Sequence, residues 1–101
     1  MEVTFLRLAE KELDEAFKYY ESVQEGLGLK FLAEVAHSVS RIVGQPLSYQ
    51  EIGKYSRRSL VHKFPYGVIY QYKEMPKKII VVCIAHLHRK PDFWVSREPQ
   101  T

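Results

Sequence analysis

Histidine, arginine and lysine side chains in the second half of the chain are the residues whose types and spacing could do chemistry. Imidazole titrates near neutral pH, so His62, His86 and His88 are candidate acids or bases. His86 and His88 are two residues apart on a predicted strand and should share one face of the sheet. Nearby cations can neutralise phosphates, and each arginine offers a two-pronged donor. They are Lys54, Arg57, Arg58, Lys63, Arg89, Lys90 and Arg97.

These residues do not form a predicted metal site. Cys83 should lie on the opposite strand face from His86 and His88, and no carboxylate has a spacing that would supply a third ligand. Cys83 alternates with Val81 and Ala85, which predicts a buried, inert thiol. The sequence also lacks a glycine-rich phosphate loop, a Ser-His-Asp signature and a paired-carboxylate motif. We therefore predict no metal and no cofactor.

The charge distribution is asymmetric along a chain of 101 residues, a length that fits one domain over residues 1–101. Residues 1–51 hold five Lys/Arg and nine Asp/Glu, whereas residues 52–101 hold ten and three, which gives balances of −4 and +7. This basic second half indicates an anionic partner, either nucleic acid, an acidic protein or the acidic helices of the same chain. A single cysteine and the lack of a visible secretory signal favour the cytoplasm, and no apolar run could span a membrane.

The hydrophobic periodicity predicts the elements that must position these side chains. Residues 3–8 alternate as a strand, and residues 9–23 and 32–43 have helical spacing on either side of a glycine-containing break. Residues 45–56 are expected to form a loop. Strands are predicted over 57–64, which contains Lys63, over 66–73 and over the highly apolar 78–87.

A short C-terminal helix is predicted to begin at Pro91 and to carry Phe93 and Trp94. The element order β-α-α-β-β-β-α predicts an α+β domain, with a helical hairpin packed on one face of a largely antiparallel sheet. Tyr66, Tyr70 and Tyr72 share a strand face. They could stack nucleic-acid bases or pack under the helices, and the sequence leaves both open.

Two stretches resemble the RelE/ParE toxin superfamily. Residues 57–70, R-R-S-L-V-H-K-F-P-Y-G-V-I-Y, are similar to its R-R-x-L-V-x-x-F-P-Y core, and residues 80–91, I-V-V-C-I-A-H-L-H-R-K-P, to its apolar strand ending in H-x-x-R-x-P. Upstream, Glu12-Leu13, Tyr19-Tyr20-Glu21 and Gly26-Leu27-Gly28 resemble the helical hairpin of the superfamily. The resemblance covers about residues 3–97. The residues of these stretches are closer to those of the ParE-like, plasmid-stabilisation branch.

The resemblance implies a toxin of a bacterial type II toxin–antitoxin system that inhibits growth and is neutralised by a small antitoxin. RelE-like members are metal-free endoribonucleases that cleave mRNA on the ribosome, whereas ParE-like members poison DNA gyrase and are not enzymes. Both targets stay open at this point. The alternative is a non-toxic binding module that only forms a complex with an antitoxin-like partner. We expect apolar surface for that partner, or for a homodimer, near the helical hairpin and Phe93-Trp94.

The resemblance also implies candidate site residues. His86, Arg89 and Lys63 are the candidate catalytic residues, and an RNA- or target-binding role is expected of Arg57, Arg58, His88 and Lys90. The RelE pattern is incomplete, because Gly67 replaces a strand arginine and Trp94 replaces a tyrosine of the C-terminal helix. Lys63 is expected to lie closer to His86 than Arg57 does, since the first and third strands of a meander run parallel and Arg57 begins its strand.

Overall fold

The computed structural model describes residues 1–89 and 93–98, and these residues form two helices and a five-stranded sheet. Neither helix is long and apolar enough to cross a membrane. In chain order, the elements are β1 (Glu2–Phe5), α1 (Arg7–Val23), α2 (Leu27–Gly44), β2 (Gln50–Ile52), β3 (Ser56–Leu60), β4 (Tyr66–Glu74), β5 (Lys77–His86) and a 3₁₀ turn (Val95–Arg97). The predicted α+β class is confirmed.

The sheet has the strand order β1-β5-β4-β3-β2. Strands β2 to β5 form an antiparallel meander, and β1 adds to β5 in parallel. β5 is therefore an interior strand paired on both sides, as its doubly apolar sequence predicts. The register shifts once between β4 and β5, at Ile69/Tyr70, so that Ile69 pairs with Cys83 and Tyr70 with Val81.

Three local predictions are wrong. The predicted loop 45–56 contains β2, a three-residue strand too short to show a period. β3 ends at Leu60, so Lys63 is not in a strand; it lies in the turn before β4 with a φ of 71°. The sequence pattern conceals this turn because Phe64 faces the core, where its ring centroid lies 4.9 Å from that of Tyr20.

The predicted C-terminal helix is also absent from the described residues. Pro91 lies outside them, Phe93 and Trp94 form a turn, and only Val95–Arg97 has helical geometry, of the 3₁₀ type. Trp94 is 3% exposed and packs into the core of the sheet. The expected apolar docking surface at Trp94 is therefore wrong, because this side chain is already covered.

One face of the sheet is covered by the two helices. Its core joins Ala9 and Ala16 of α1, Phe31, Val35 and Ile42 of α2, and inward-facing residues of β4 and β5. All three tyrosines left open above belong to this core. Tyr70 is fully buried, and its hydroxyl donates a hydrogen bond of 2.6 Å to the Pro46 carbonyl. The strand tyrosines therefore pack under the helices and do not form an exposed stacking surface.

A carboxylate fixes the turn between the two helices. Glu21 of α1 accepts hydrogen bonds of 2.9 Å from the backbone N–H groups of both Gly26 and Gly28, which satisfies orphan donors at the start of α2. A Cβ at Gly28 would lie 2.7 Å from the Phe17 carbonyl oxygen. Glycine is therefore required at residue 28, where the helices meet backbone to backbone.

Within residues 1–89 and 93–98, no α-helix packs on the opposite face of the sheet, which we call the helix-free face. Its core is a smaller cluster that includes Ile69, Val82, Cys83 and Ala85, with Trp94 packed on them. We call residues 93–98 the C-terminal strap. Its last described residue, Glu98, accepts a hydrogen bond from the hydroxyl of the buried Ser56. The strap covers only part of this helix-free face.

Candidate target-binding pocket

Two adjacent arginines in β3 have opposite environments because successive strand residues face opposite sides. Arg57 pairs with Tyr70 and points to the helix-covered face. Its guanidinium donates to the Tyr49 carbonyl at 2.8 Å and to the Glu51 carboxylate at 3.2 Å. Arg58 pairs with Ile69 and points to the helix-free face. Arg57 is thus bound within the protein, whereas Arg58 lies on the less covered side.

Gly67 determines how Arg58 lies. A Cβ at residue 67 would sit 3.0 Å from both Cγ and Cδ of Arg58, so the arginine stem runs across the glycine. In the described part of the chain, the only polar partner of the Arg58 guanidinium is Gln50 Oε1, at 3.5 Å. Residue 67 is glycine here and arginine in the RelE pattern. The absence of a side chain at this residue leaves the space in which the Arg58 side chain crosses the sheet.

His86 ends β5 and is held by its neighbours. Its ring packs edge-on against Tyr66 and His88, with centroid distances of 5.1 and 5.2 Å. The backbone N–H of His88 donates to Nδ1 of His86 at 3.1 Å. A ring that accepts at Nδ1 carries its proton at Nε2, so Nε2 is the nitrogen free to donate to a ligand.

Arg89 follows in a turn closed by a hydrogen bond of 3.1 Å from its own N–H to the His86 carbonyl. Its guanidinium carbon lies 3.8 Å from the ring centroid of Phe93, a cation–π distance. One guanidinium nitrogen is 3.5 Å from the carboxylate of Glu12. The strap therefore holds Arg89 through Phe93.

Arg58, His86 and Arg89, which we call the rim cations, line one cavity of about 220 Å³ on the helix-free face. His86 reaches it from the edge of the sheet, since its ring packs on Tyr66 of the helix-covered core. The other residues that line it are largely apolar: Ile52, Ile69, Ala85, Leu87, Phe93 and Trp94. The indole nitrogen of Trp94 is buried and finds no hydrogen-bond acceptor within residues 1–89 and 93–98. The cavity thus combines an apolar floor with two guanidinium groups and an imidazole at its rim.

The other candidate residues lie elsewhere. Lys63 contacts Glu34 of α2 at 3.8 Å, and neither Lys63 nor Arg57 lines the cavity. Arg58, and not Lys63, therefore lines this cavity together with His86 and Arg89. Arg58 begins its strand, but its side chain runs across Gly67, which pairs with Ala85 near the end of β5. His88 is exposed beside His86, and Lys90 lies outside the described residues.

A buried ion cluster between α1 and the C-terminal strap was not predicted from the sequence. Glu12 of α1 binds both guanidinium nitrogens of Arg97 at 2.9 and 3.0 Å, and also accepts the backbone N–H of Ile84 at 3.2 Å. The two charged side chains are only 12% and 13% exposed. The hydrogen bond to Glu12 raises the pKa of Arg97. The partners are 85 residues apart, so no local spacing could have paired them.

Cys83 lies beside this cluster and is fully buried. Burial raises the pKa of its thiol to about 12, and the neighbouring Glu12 carboxylate acts in the same direction. A thiol with such a pKa is protonated at neutral pH and is a poor nucleophile. The prediction of a buried cysteine in the sheet is confirmed, and residues 1–89 and 93–98 contain no group of three metal-binding side chains.

The comparisons with known proteins agree with this architecture. The family described as the ParE toxin of the type II toxin–antitoxin system parDE matches residues 3–91. The chain belongs to the ParE toxin family. A search of curated proteins finds no significant match. Among solved structures, the chain is similar to one from the chromosomal ParDE toxin–antitoxin system of P. aeruginosa, with a TM-score of 0.73, 16% identity, and coverage of 87% of this chain and 97% of that one.

As a ParE-family toxin, the chain is a component of a type II toxin–antitoxin system. The P. aeruginosa structure supports the fold alone at this level of identity. The family match includes the strand arginines Arg57 and Arg58, the turn before β4 and His86 with Arg89. It ends before the C-terminal strap, which supplies Phe93 and Trp94 to the cavity.

Proposed function

We propose that this ParE-family toxin arrests growth by acting on DNA gyrase and not by cleaving mRNA on the ribosome. The proposal rests on the composition of the pocket that the rim cations form. A metal-free ribonuclease needs a base for the 2′-hydroxyl and an acid for the leaving oxygen, both beside the cations that stabilise the phosphorane-like state. Among the described residues that line this cavity, only His86 has a side chain that could act as an acid or a base, because the others are apolar, aromatic or arginine.

The substituted positions support the same conclusion. Trp94 occupies the position of a tyrosine in the RelE pattern; it has no ionisable hydroxyl, and its side chain is buried. Gly67 supplies no cation, and Lys63 is turned toward Glu34 on the other side of the sheet. The rim cations can bind an anionic surface, but they do not form an acid–base pair. A gyrase poison needs such a binding surface and no catalytic chemistry.

We also propose that a small acidic antitoxin neutralises this toxin by binding the helical hairpin. An apolar groove of about 450 Å³ runs along the hairpin and is lined by Phe5, Leu13, Phe17 and Leu32, with Glu10 and Asp14 at its edge. An amphipathic or extended antitoxin segment fits a groove of this kind. The basic second half of the chain favours acidic residues in the rest of that partner.

The target is tested by inducing the toxin and measuring two outputs. We expect purified gyrase to lose supercoiling activity in the presence of the toxin, and primer extension on a translated mRNA to show no codon-phased cuts. Codon-phased cuts with normal supercoiling would overturn the proposal and assign the ribosome as target. Normal growth after induction of the folded protein would overturn both targets. It would favour the alternative function, a non-toxic binding module.

Single substitutions sharpen this test. Arg58→Ala and Arg89→Ala should relieve growth arrest without changing the melting temperature, because exposed cations contribute little to folding. Lys63→Ala removes the same charge outside the pocket and should leave growth arrest unchanged. His86→Gln keeps an N–H donor at the pocket and should weaken gyrase inhibition by less than about tenfold, whereas it would slow a nuclease by roughly a hundredfold. A hundredfold loss in His86→Gln would therefore contradict the proposal.

The antitoxin proposal has its own experiment. The toxin should be co-purified with the product of the adjacent small open reading frame, and Leu13→Glu in the groove should abolish the complex. Lys18→Glu also introduces a glutamate, but on the exposed side of the same helix, so it is the matched control. Unchanged binding by Leu13→Glu would show that the antitoxin covers another surface.

A further inference from the structure

The outer edge of β3 is left open where β2 begins. The pairing of these two strands ends at Gln50 and Arg58, so β2 does not reach Leu60. Residues of an antiparallel strand bond alternately to the neighbour on one side and to the neighbour on the other. Val61 donates its N–H to Tyr66 on the β4 side, so the N–H of Leu60 points the other way. In the described part of the chain no strand lies beyond it, and such an edge can pair with an extended peptide.

A groove of about 540 Å³ lies along this edge, and we call it the edge groove. Its described lining residues are Arg41, Ser48, Tyr49, Gln50, Arg58, Ser59, Leu60 and His62. The chain turns away from the edge before β2, because the Ser48 N–H donates a hydrogen bond of 3.1 Å to the Gln45 carbonyl. The position opposite Leu60 is therefore not filled by the segment that leads into β2, and the groove has room for a few residues of another chain.

Cations flank the edge groove on both faces of the sheet. Arg41 reaches it from α2 on the helix-covered side, while Arg58 lies on the helix-free side. The Arg41 guanidinium donates to the Ser38 hydroxyl at 2.9 Å, and this hydroxyl donates to the Leu60 carbonyl at 3.4 Å, which ties Arg41 to the strand edge. His62 adds an exposed imidazole, and no carboxylate is among the described residues that line the groove. The groove therefore attracts an anionic ligand.

The lining favours a polypeptide over a nucleic-acid strand. Single-stranded nucleic acid binds on exposed aromatic rings. Tyr49 does not offer such a surface, because its ring packs edge-on against the buried Tyr70 at a centroid distance of 6.4 Å. Leu60 instead places an apolar side chain, 51% exposed, beside the cations. Its outward N–H is a donor of the kind that the main chain of an added strand accepts.

Strand geometry also indicates where the negative charges of such a peptide would lie. Successive side chains of a strand point to opposite faces of the sheet. Two consecutive acidic residues opposite Leu60 would therefore meet Arg41 on one face and Arg58 on the other. Each arginine can bind a carboxylate through two parallel hydrogen bonds.

Two features favour the target of the toxin over its antitoxin as the source of the peptide. Arg58 lines both the edge groove and the cavity of the rim cations, so the edge groove continues the surface proposed above for the target. The groove proposed for the antitoxin includes Phe5 of β1, which lies at the opposite edge of the sheet.

We propose that the edge groove binds an extended acidic segment of the protein that the toxin inhibits. The segment pairs its main chain with Leu60, and two neighbouring acidic side chains bind Arg41 and Arg58. The inference rests on the proposed function. It extends the target interface from the rim cations around the edge of the sheet to α2, and it makes Arg41 a binding residue.

The chemistry of the ligand is tested with labelled peptides and fluorescence anisotropy. The probe is a fluorescein-labelled hexapeptide in which two consecutive glutamates are flanked by valine and threonine. It should bind the purified protein saturably, and the same peptide with two glutamines should bind at least about fivefold more weakly, because it loses the charge-assisted hydrogen bonds. Equal binding of the two peptides, or no saturable binding of the first up to millimolar concentration, would overturn the inference.

Two further ligands test strand pairing and the nucleic-acid alternative. A peptide whose two glutamates are flanked by prolines keeps the charge but pairs poorly as a strand, so it should bind at least about threefold more weakly. Equal binding of this peptide would remove the strand edge from the site and overturn the inference. A short oligothymidylate that binds more tightly than the glutamate peptide, and loses this affinity in Arg41→Ala, would assign the groove to nucleic acid.

Two cations of α2 give a matched pair of variants. Arg41→Ala should weaken binding of the glutamate peptide by about fivefold or more, whereas Lys30→Ala removes an exposed charge outside the groove and should change it by less than about twofold. Equal losses in the two variants would reduce the effect to net charge and overturn the inference. Leu60→Pro removes the outward N–H, which does not bond to β4, and should also weaken binding. The proline-flanked peptide tests the same pairing if this variant does not fold.

Gyrase and the antitoxin separate this inference from the proposed function. Arg41→Ala should inhibit gyrase supercoiling about fivefold more weakly than the unaltered toxin, and it should still co-purify with the product of the adjacent open reading frame. Loss of that complex in Arg41→Ala would assign the groove to the antitoxin and overturn the inference. Inhibition of gyrase that Arg41→Ala leaves unchanged would overturn this inference alone. Arg41-dependent peptide binding by a toxin that does not inhibit gyrase would overturn the proposed target alone.

Discussion

The two faces of the sheet differ in what their side chains do. On the helix-covered face, side chains that could have contacted a ligand are used within the protein: the strand tyrosines pack under the helices, and Arg57 binds backbone carbonyls and Glu51. On the helix-free face, Arg58 and Arg89 line an open cavity that His86 reaches from the edge of the sheet. The same residue types therefore serve stability on one face and are available for binding on the other. Coverage by α1 and α2 makes the difference.

The largest expected effect is on the helix-covered face. Phe31 is fully buried, and its ring contacts those of Tyr20, Phe64 and Tyr66 at 5.0 to 5.3 Å. Phe31→Ala should lower the free energy of unfolding by about 3–5 kcal/mol, because it removes a large side chain and leaves a cavity. Leu60→Ala on the helix-free face, where the side chain is 51% exposed, should cost less than about 1 kcal/mol in the same urea titration. Similar losses of unfolding free energy in the two variants would contradict the proposed difference between the two faces of the sheet.

Glu12 connects the two faces, because it belongs to α1 and holds Arg97 of the strap. Glu12→Gln leaves the Arg97 guanidinium without its counter-charge and should lower the free energy of unfolding by about 1–3 kcal/mol. Asp14→Asn removes the carboxylate of an exposed pair with Lys18 on the same helix and should leave the urea midpoint unchanged. An unchanged midpoint in Glu12→Gln would show that the ion cluster does not secure the strap.

The buried thiol of Cys83 should make the free energy of unfolding depend on pH in the alkaline range. Burial raises the pKa of its thiol from 9.0 to about 12, so the thiol ionises in the unfolded chain before it does in the folded one. Its contribution is fully present below pH 9 and is lost as the pH rises from about 9 toward 12. In that window the free energy of unfolding should fall by up to ~1.4 kcal/mol per pH unit. Cys83→Ala should show a shallower fall, and parallel curves for the two proteins would refute this assignment.

The adjacent arginines test the comparison within one strand. Arg57→Ala leaves the carbonyls of Leu47 and Tyr49 with one donor fewer and should lower the free energy of unfolding by about 1 kcal/mol. Arg58→Ala should change it by less than about 0.5 kcal/mol, since the only polar contact of Arg58 within the described residues is the long one to Gln50. The reverse order in thermal unfolding would mean that Arg58 is a structural residue.

The smallest effect is expected in the turn before β4. Lys63 adopts a φ of 71°, a left-handed conformation that asparagine tolerates better than lysine. Lys63→Asn should raise the free energy of unfolding by a few tenths of a kcal/mol, and it should leave growth arrest unaltered. A loss of toxicity in a variant of normal stability would place a target contact on the helix-covered side.

The accuracy of the sequence-based predictions differs between these elements for physical reasons. The helices of the hairpin and the interior strand β5 carry long apolar patterns, and all three form, although α2 begins at Leu27, inside the predicted break. β2 is three residues long and is held by pairing with β3, so its own sequence has no period to detect. The alternation through residues 57–64 correctly places Phe64 in the core but conceals the turn in which Lys63 lies.

The sequence by itself determined the α+β class, the order of the helices and of every strand except β2, the burial of Cys83 and the resemblance that the ParE family match confirms. These properties follow from local periodicity and from motifs of contiguous residues. Only the tertiary structure decided that Arg58, and not Lys63, joins His86 and Arg89, because that outcome depends on strand register and on the space above Gly67. It also brought Glu12 to Arg97, since the fold closes contacts between residues far apart in the chain.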